Sequence, residues 1–543
     1  MKRQTAIFCI LTALFTLLSS VPFLVPHTGF LMLVAFVPLL CMERMASLSG
    51  RRHFWLWHYA CFVLWNACTT FWVCNATVGG GLFAVFANAL QMSLVFGLFR
   101  WVKKRMKGVV PYIFLAAAWI AWEKYYLTVA QISWPWLVLG NSFAGTVGLV
   151  QWYDTLGSLG GSLWVWASNL AVFGFMTALS DGSFSRWNGK ARAAALAGAV
   201  LVLFGPMVWS AVKWNSFRES GEPLDVVLVQ PNFDPYHKFV SMTQEQQTGQ
   251  IAERIEAALE AREGKDPVLV LTPETSTNDV VVGVVEQGFS YNRFLSLTRR
   301  HPESNILFGA SSREYIVSDF RPSPTAWKLR DGVWLETHNS ALIVDSTGRY
   351  GLFHKSKLVV GTEMLPYPKV LGPVNDWLGH ASATSIGQKE IDVLRFRPVE
   401  GGKAAADIPV GCAICYESVY GEYCTGYVRK GARLLCVITN DAWWGDTPGY
   451  RQHLNYSRLR AIETRRYVAR SANTGISAVI DSRGRILEET PWWEPATLSG
   501  TVLLSDSVTP FVAHGDIVGR LSVFVFLLLL LAAIFRFGKR VES

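Results

Sequence analysis

The chain has 543 residues, 51% of them hydrophobic and only 17% charged, with a formal net charge of +9 and a mean hydropathy of +0.25. It is too long for one ordinary domain and too apolar for a wholly water-exposed one. The basic residues are spread over loops rather than gathered into one patch, which argues against nucleic acid as a partner and for membrane topology.

The 22 Trp suit interfacial belts. Of the 9 Cys, five (Cys9, Cys41, Cys61, Cys68, Cys74) fall in the apolar N-terminal third and four (Cys412, Cys415, Cys424, Cys436) in the more polar part. An odd count without regular spacing is not a disulfide framework. Cys412 and Cys415 form a C-x-x-C, but no second ligand pair stands at zinc-site spacing, and no thioredoxin-like unit surrounds them.

Met1-Lys2-Arg3 precedes an apolar run over 6–25. Such a run can be a signal peptide, but more apolar runs follow at once, which predicts a retained anchor. They cover 29–42, 54–75, 81–101, 109–122, 157–179 and 193–212, with a last one at 521–537. Together they predict about eight bilayer-crossing helices. Lys2 and Arg3, then Arg44, Arg51 and Arg52, then Arg100 to Lys107, then Arg186, Lys190 and Arg192, and finally Arg536, Lys539 and Arg540 occupy every second loop. The loops between them, near Pro26 and 77–80, hold almost no Lys or Arg. By the positive-inside rule both termini are cytoplasmic, and the long segment before the last span lies in the periplasm of a Gram-negative inner membrane.

The external loop near 130–145 contains Ser133-Trp134-Pro135-Trp136-Leu137-Val138-Leu139-Gly140. It reads either as part of an aromatic belt or as an amphipathic arm dipping into the outer leaflet, with Trp136 lining a lipid entrance. The expected domains are a transmembrane domain over 1–213, a catalytic domain over 214–515, and a transmembrane helix with a tail over 516–543.

From about 214 to 507 the pattern changes to short β-rich runs alternating with helices, an α/β layered domain. Strands are expected at 225–230, 267–271, 305–310, 341–345, 433–438 and 475–481, and helices at 243–262 and 450–471. A short strand at 406–410 leads to a small-residue turn, Gly411-Cys412-Ala413-Ile414-Cys415, and to a helix after Gly421. That strand-to-helix elbow can hold a thiol out at a sheet edge as a nucleophile. Glu274 and Lys355 also stand just past strand-like runs, at the edge where layered α/β folds bind ligands. A thiol attacking an ester needs a base, which Glu274 can supply, and an oxyanion stabiliser, which Lys355 can supply.

Glu274, Lys355 and Cys415, in that order and context, resemble the nitrilase superfamily of carbon–nitrogen hydrolases. With the membrane-spanning envelope, the chain resembles the apolipoprotein N-acyltransferase family. The resemblance covers nearly the whole chain. Its most specific stretches are Trp134-Pro135-Trp136-Leu137, Cys415-Tyr416-Glu417, Asn440-Asp441-Ala442-Trp443-Trp444-Gly445, Gln452-His453, Arg458-Leu459-Arg460-Ala461-Ile462-Glu463 and Asn473-Thr474-Gly475-Ile476-Ser477.

The family's lysine stretch corresponds to Phe353-His354-Lys355-Ser356-Lys357-Leu358-Val359-Val360-Gly361-Thr362-Glu363. Its register selects Lys355, leaves Lys357 as a solvated neighbour, and makes Glu363 a second essential carboxylate. The chain departs from the family at Val360-Gly361-Thr362, where Pro-x-Gly is usual, and at Phe239, where Trp is common.

The resemblance implies a multi-span helical membrane domain joined to an αββα nitrilase-like sandwich. It implies a two-step acyl transfer with Glu274 as proton acceptor, Lys355 as oxyanion stabiliser and Cys415 as nucleophile. Glu363, Tyr416, Glu417, Trp443, Trp444, Phe239 and Trp136 would support the site or bind substrate. The donor would be a phospholipid, typically phosphatidylethanolamine, and the acceptor the N-terminal amine of a diacylated apolipoprotein. No cofactor or metal is expected. A membrane-anchored nitrilase-type amidohydrolase is the alternative. A transporter with a degenerate enzyme-like domain is a third reading, disfavoured because charges inside the apolar runs are scarce.

Overall fold

The computed structural model describes residues 2–235, 238–377, 385–400, 403–404 and 406–541. The chain divides into two compact units, Met1–Phe217 with His514–Ser543, and Arg218–Ala513.

In the first unit, six helices among the described residues are long and apolar enough to cross a membrane: Arg3–Leu24, Gly29–Leu48, Val78–Lys103, Tyr153–Ser180, Gly189–Ser216 and Ile517–Phe535. The other two expected spans are helical as well. However, Phe54–Thr70 has only 17 residues, and Val110–Thr128 carries Glu123 and Lys124 among aromatics. The second span is broken, with a 3-10 turn at Gly29–Leu33 before the helix Val37–Leu48. Buried Asn169 repairs the break. Its Oδ1 accepts from the Phe36 N–H at 2.7 Å, and its Nδ2 donates to Met32 O at 2.9 Å. Irregular backbone in an apolar layer needs such a partner.

The amphipathic arm expected near 130–145 is not a surface arm. Residues 135–144 are all buried, in short 3-10 turns. Polar groups of neighbouring helices take up their backbone: Glu123 Oε1 accepts from the Leu139 N–H at 2.8 Å, Ser162 Oγ from the Gly140 N–H at 3.1 Å, and the Tyr153 hydroxyl donates to Gly140 O at 2.9 Å. Trp136 stacks on Trp134 with centroids 5.2 Å apart and meets Trp72 edge-on. A backbone so fully paired inside the unit belongs to its core.

The second unit holds two main sheets. The first is built from β1 (Glu222–Gln230), β2 (Val268–Leu271), β3 (Thr277–Val281), β4 (Ser304–Val317), β5 (Trp327–Arg330), β6 (Val333–Val344) and β7 (Tyr350–His354). The second contains β8 (Leu394–Phe396), then, after a small hairpin of β9 (Val399–Glu400) and β10 (Lys403–Ala404), β11 (Ile408–Ile414), β12 (Leu434–Thr439), β13 (Val468–Ala472), β14 (Ala478–Ile480) and β15 (Ile486–Glu489). The last strand, β16 (Ala496–Leu504), returns to the first sheet, whose order is β16-β1-β2-β4-β6-β5; the second runs β15-β14-β13-β12-β11-β8. β1, β2 and β4 are parallel, as are β11, β12 and β13. β1, β2, β11 and β12 accordingly carry short, largely apolar runs.

Helices cover each sheet. The helix Gln244–Glu260 opens with a capping box: Gln246 N–H donates to Thr243 Oγ1, and Thr243 N–H to Gln246 Oε1. Its Ile251, Ile255 and Leu259, one face at four-residue spacing, pack with Phe294 and Leu297 of Phe289–Arg300 on Val227, Val270, Ile306 and Leu342. Burying each such side chain contributes about 1.5–3 kcal/mol. Gly421–Arg429 and Pro448–Thr464 cover the second sheet. The two sheets meet where Ser471 Oγ donates to Val229 O at 2.9 Å and Asn232 N–H donates to Asn473 O at 2.9 Å. The αββα arrangement follows.

Two expectations need correction. The helix expected over 450–471 ends at Thr464: Arg465 takes a left-handed φ of 49°, and residues 468–472 form the fully buried strand β13. Its place beside β12 outweighs the helical pattern upstream, because sheet pairing and burial override local propensity. The strand expected to stop at Val410 continues to Ile414, so Gly411 to Ile414 belong to β11 and the turn starts at Cys415.

Candidate active site

Three strand ends converge. Glu274 lies just past β2, Lys355 directly after β7 and Cys415 directly after β11. Lys355, 1% exposed, reaches Glu274 Oε1 at 3.0 Å and Glu363 Oε1 at 2.8 Å. Asn339, from the middle of β6, donates through Nδ2 to the same two oxygens, at 2.7 Å each. Glu274 Oε2 accepts from the Asn440 N–H at 3.1 Å. Among the described residues, the groups bonded to the Glu274 carboxylate are donors: Lys355 Nζ, Asn339 Nδ2 and the Asn440 N–H. Burial opposes the charge on Lys355, but Glu274 and Glu363 outweigh it and hold the ammonium well above its ordinary range.

Despite the departure at Val360-Gly361-Thr362, Glu363 reaches the lysine. Gly361 turns with φ of 84°, Glu363 N–H donates to Val359 O at 2.9 Å, and the Val359 N–H donates back to Glu363 Oε2 at 2.7 Å.

Cys415 has φ of 52°, a left-handed conformation rare outside glycine. Holding it costs on the order of 1–3 kcal/mol. The carbonyl of Cys415 is gripped by Ser418 Oγ at 2.8 Å, with His453 Nε2 at 3.1 Å. Glu417, fully buried, pins the turn from beneath. Its Oε2 accepts from the Ile414 N–H at 2.8 Å, and its Oε1 from the Ser356 N–H at 2.6 Å, the Lys357 N–H at 3.2 Å and the Tyr423 hydroxyl at 2.8 Å. One carboxylate thus ties the Cys415 elbow to the Lys355 loop. Burial raises Glu417, with these donors opposing the rise. Burial also pushes the Cys415 thiol well above its usual range; Glu274 adds to the rise and Lys355 opposes it. At rest Cys415 is a thiol rather than a thiolate.

Behind the elbow lies a buried cluster. Asp441 Oδ1 accepts from Thr439 Oγ1 at 2.7 Å and faces His453 Nδ1 at 2.9 Å, while Oδ2 is paired with Arg470. Burial alone would raise Asp441, but Arg470 and His453 outweigh it and hold the carboxyl below its ordinary range. Lys238 is also buried, and its Nζ donates to Thr275 O at 3.0 Å beside Glu274.

The remaining expected residues are less central. Tyr416 is buried edge-on against Tyr420. Trp444 contacts His453 edge-on at 5.5 Å, and Trp443 is exposed. Lys357 is not simply solvated: it is half-buried over the ring of Tyr420 at 5.2 Å, because the Glu417 anchor draws its backbone inward. Phe239 falls in the short helix Lys238–Ser241, but its side chain lies outside the described residues. Trp136 belongs to the other unit. Cys412 is packed inside β11, and the described cysteines are all free. Asn339, Lys238 and the Asp441–Arg470 pair were not singled out as site residues from the sequence. Asn339 lies in the polar stretch Glu336-Thr337-His338-Asn339-Ser340 of β6, which gave no local sign that set it apart.

Residues 240–508 match the carbon–nitrogen hydrolase family, and residues 13–171 match the apolipoprotein N-acyltransferase N-terminal domain. The apolipoprotein N-acyltransferase of Chlorobaculum tepidum is 27% identical over 89% of this chain and 88% of its own length. That of Gloeobacter violaceus is 28% identical over 95% and 92%. The chain belongs to the apolipoprotein N-acyltransferase family. As in that family, an apolar helical unit and a carbon–nitrogen hydrolase unit share one chain, and the protein is a membrane-embedded acyltransferase. Among solved structures, Saccharomyces cerevisiae Nit3 of the nitrilase superfamily covers 55% of this chain and 95% of its own at 17% identity, with a TM-score of 0.36.

Proposed function

We propose that the protein moves a fatty acyl chain from a phospholipid onto Cys415 and then onto the α-amine of an S-diacylglyceryl cysteine at an apolipoprotein N-terminus. What carries this reading is the union, in one chain, of the family's N-terminal domain with a buried Glu274–Lys355 pair behind a left-handed Cys415. Phosphatidylethanolamine is the expected donor. The site works in the inner membrane with both termini cytoplasmic and residues 218–513 on the periplasmic side, as the loop charges require.

In the first half-reaction Glu274 takes the Cys415 proton as sulfur attacks the ester carbonyl. Two of the three N–H groups of Lys355 are held by Glu274 and Glu363, which leaves one for the oxyanion. The C–O bond breaks, and Glu274 returns the proton to the departing lysophospholipid oxygen. In the second half the acceptor amine attacks the thioester, Glu274 takes the amine proton, and sulfur leaves and is reprotonated. Asn339 and Glu363 keep Lys355 and Glu274 in register throughout; they position and do not react.

The test is turnover by the purified chain. With phosphatidylethanolamine alone it releases at most one equivalent of lysophospholipid, carries the acyl mass on the Cys415 peptide, and stalls. A diacylglyceryl-cysteine peptide restarts it, and N-acetylating that peptide prevents the restart. Cys415→Ser lowers transfer by at least ~10³-fold, while Cys412→Ala retains most of it. Steady fatty-acid release without an amine acceptor would establish a lipid hydrolase instead.

A further inference from the structure

On the face of β6 away from Asn339, three ligand-type side chains come together. Glu314 of β4 and Glu336 of β6 are direct cross-strand partners, and His338 stands two residues along β6 from Glu336. One ligand atom from each lies within 4.8 Å of the others. Two carboxylates directly opposite each other destabilise a sheet unless something positive lies between them.

The hydrogen bonds define what is missing. His338 Nδ1 donates to Ile386 O at 2.9 Å, since a carbonyl only accepts. That is the arrangement that holds a metal-binding imidazole with its other nitrogen toward an ion. Nε2 then faces Glu314 Oε2 at 3.3 Å. Glu336 is only 8% exposed, and its carboxylate has no hydrogen bond or ion pair with another described residue. A proton on His338 would serve Glu314 and leave the two facing carboxylates with one positive group between them. A divalent cation would serve all three.

We propose that Glu314, Glu336 and His338 bind a divalent transition-metal ion, Zn²⁺ by donor type, through one imidazole nitrogen and two carboxylate oxygens, with the fourth position left to water. A tetrahedral Zn²⁺ with bonds of about 2.0–2.1 Å needs ligand atoms roughly 3.3–3.4 Å apart. The Glu314–His338 separation already meets that spacing, and a small rotation of the Glu336 side chain brings in the third ligand. The ion is structural. It clamps β4 to β6 on the side of the sheet away from the chemistry, while Asn339, the next residue, holds Glu274 and Glu363. His338 also stacks on His354, with centroids 4.1 Å apart, immediately before Lys355.

Cys415, Asp441 and His453 form a second cluster with ligand atoms within 4.8 Å of one another, so the full-length chain is tested in a Cys415→Ser background. After chelation and dialysis in detergent it is titrated with Zn²⁺ by calorimetry, with Mg²⁺ as the contrasting ion. One equivalent of Zn²⁺ binds and raises the melting temperature, and Mg²⁺ does neither. Adding Glu336→Gln weakens Zn²⁺ binding by at least about tenfold, and Glu314→Gln with Glu336→Gln abolishes it. Metal-free Glu336→Gln melts no lower than its metal-free parent, because it relieves the carboxylate repulsion. Zn²⁺ binding that survives the double substitution, absence of Zn²⁺ binding in the Cys415→Ser parent, or a lower metal-free melting temperature for Glu336→Gln would each overturn the site.

Discussion

Lys238 is buried next to the catalytic turn, where burial lowers its ammonium to about 8 from 10.5 and Glu274 only partly offsets the effect. Its Nζ holds the carbonyl and hydroxyl of Thr275, a residue at φ of 50° directly after Glu274. In the unfolded chain Lys238 keeps its proton up to about 10.5, so between about 8 and 10.5 the unfolded state binds more protons and stability rises with pH. That gain is complete above 10.5 and lost as pH falls through about 8. Lys238→Met removes the titration, so its melting profile is flatter across this window than that of the unmodified protein. Parallel profiles would show that Lys238 is not the titrating group. The same variant frees the Thr275 carbonyl and slows acyl transfer by about tenfold, the loss of one hydrogen bond from a charged donor.

The strands do more than deliver Glu274, Lys355 and Cys415, the proposed triad, to one edge; their close approaches fix where these residues stand. A Cβ on Gly309 of β4 would come 2.4 Å from Pro273 O and 2.7 Å from Glu274 Cα. Gly309 O also accepts from Ser276 Oγ at 2.9 Å. Gly309→Ala therefore pushes away the segment that carries Glu274, the proposed base. A misplacement near 1 Å costs about 10²-fold in rate, whereas overpacking of this kind costs about 1–3 kcal/mol of stability. Initial transfer rates and melting curves should show a large loss in the first and a moderate one in the second. An unchanged rate would mean that Glu274 is not held from this strand. The elbow is governed in the same way, by Glu417 binding Ile414 on one side and Ser356 on the other. Glu417→Gln keeps the shape but turns one acceptor oxygen into a donor facing N–H groups, so it lowers transfer by about 10²-fold.

At the scale of the whole molecule, the proposed topology requires each soluble loop to lie on a definite side. Asp319, exposed in the catalytic unit, and Lys104, exposed at the end of Val78–Lys103, supply two reporters. In a background without the native surface cysteines, Asp319→Cys reacts with an impermeant thiol reagent added outside the inner membrane, and Lys104→Cys reacts only after the membrane is opened. The reverse pattern would put the catalytic unit in the cytoplasm and remove lipoproteins as substrates.

Composition and periodicity by themselves determined the membrane class, the α/β character of the long segment and the strand-end positions of Glu274, Lys355 and Cys415, because these depend on local patterns of apolar and turn residues. Lys355 was chosen over Lys357 by the resemblance to the family's lysine stretch, through the register of Leu358, Val359 and Glu363. Tertiary structure alone decided which polar groups meet. Asn339 is 65 positions from Glu274, and no local pattern links them. It likewise decided that Trp136 is core, since side chains distant in sequence, Glu123, Ser162 and Tyr153, take up backbone groups of its loop. It turned residues 468–471 from an expected helix into part of β13, because a place beside β12 buries them completely. Local propensity is weak, about 1 kcal/mol or less per residue, and long-range burial and pairing outweigh it wherever the two conflict.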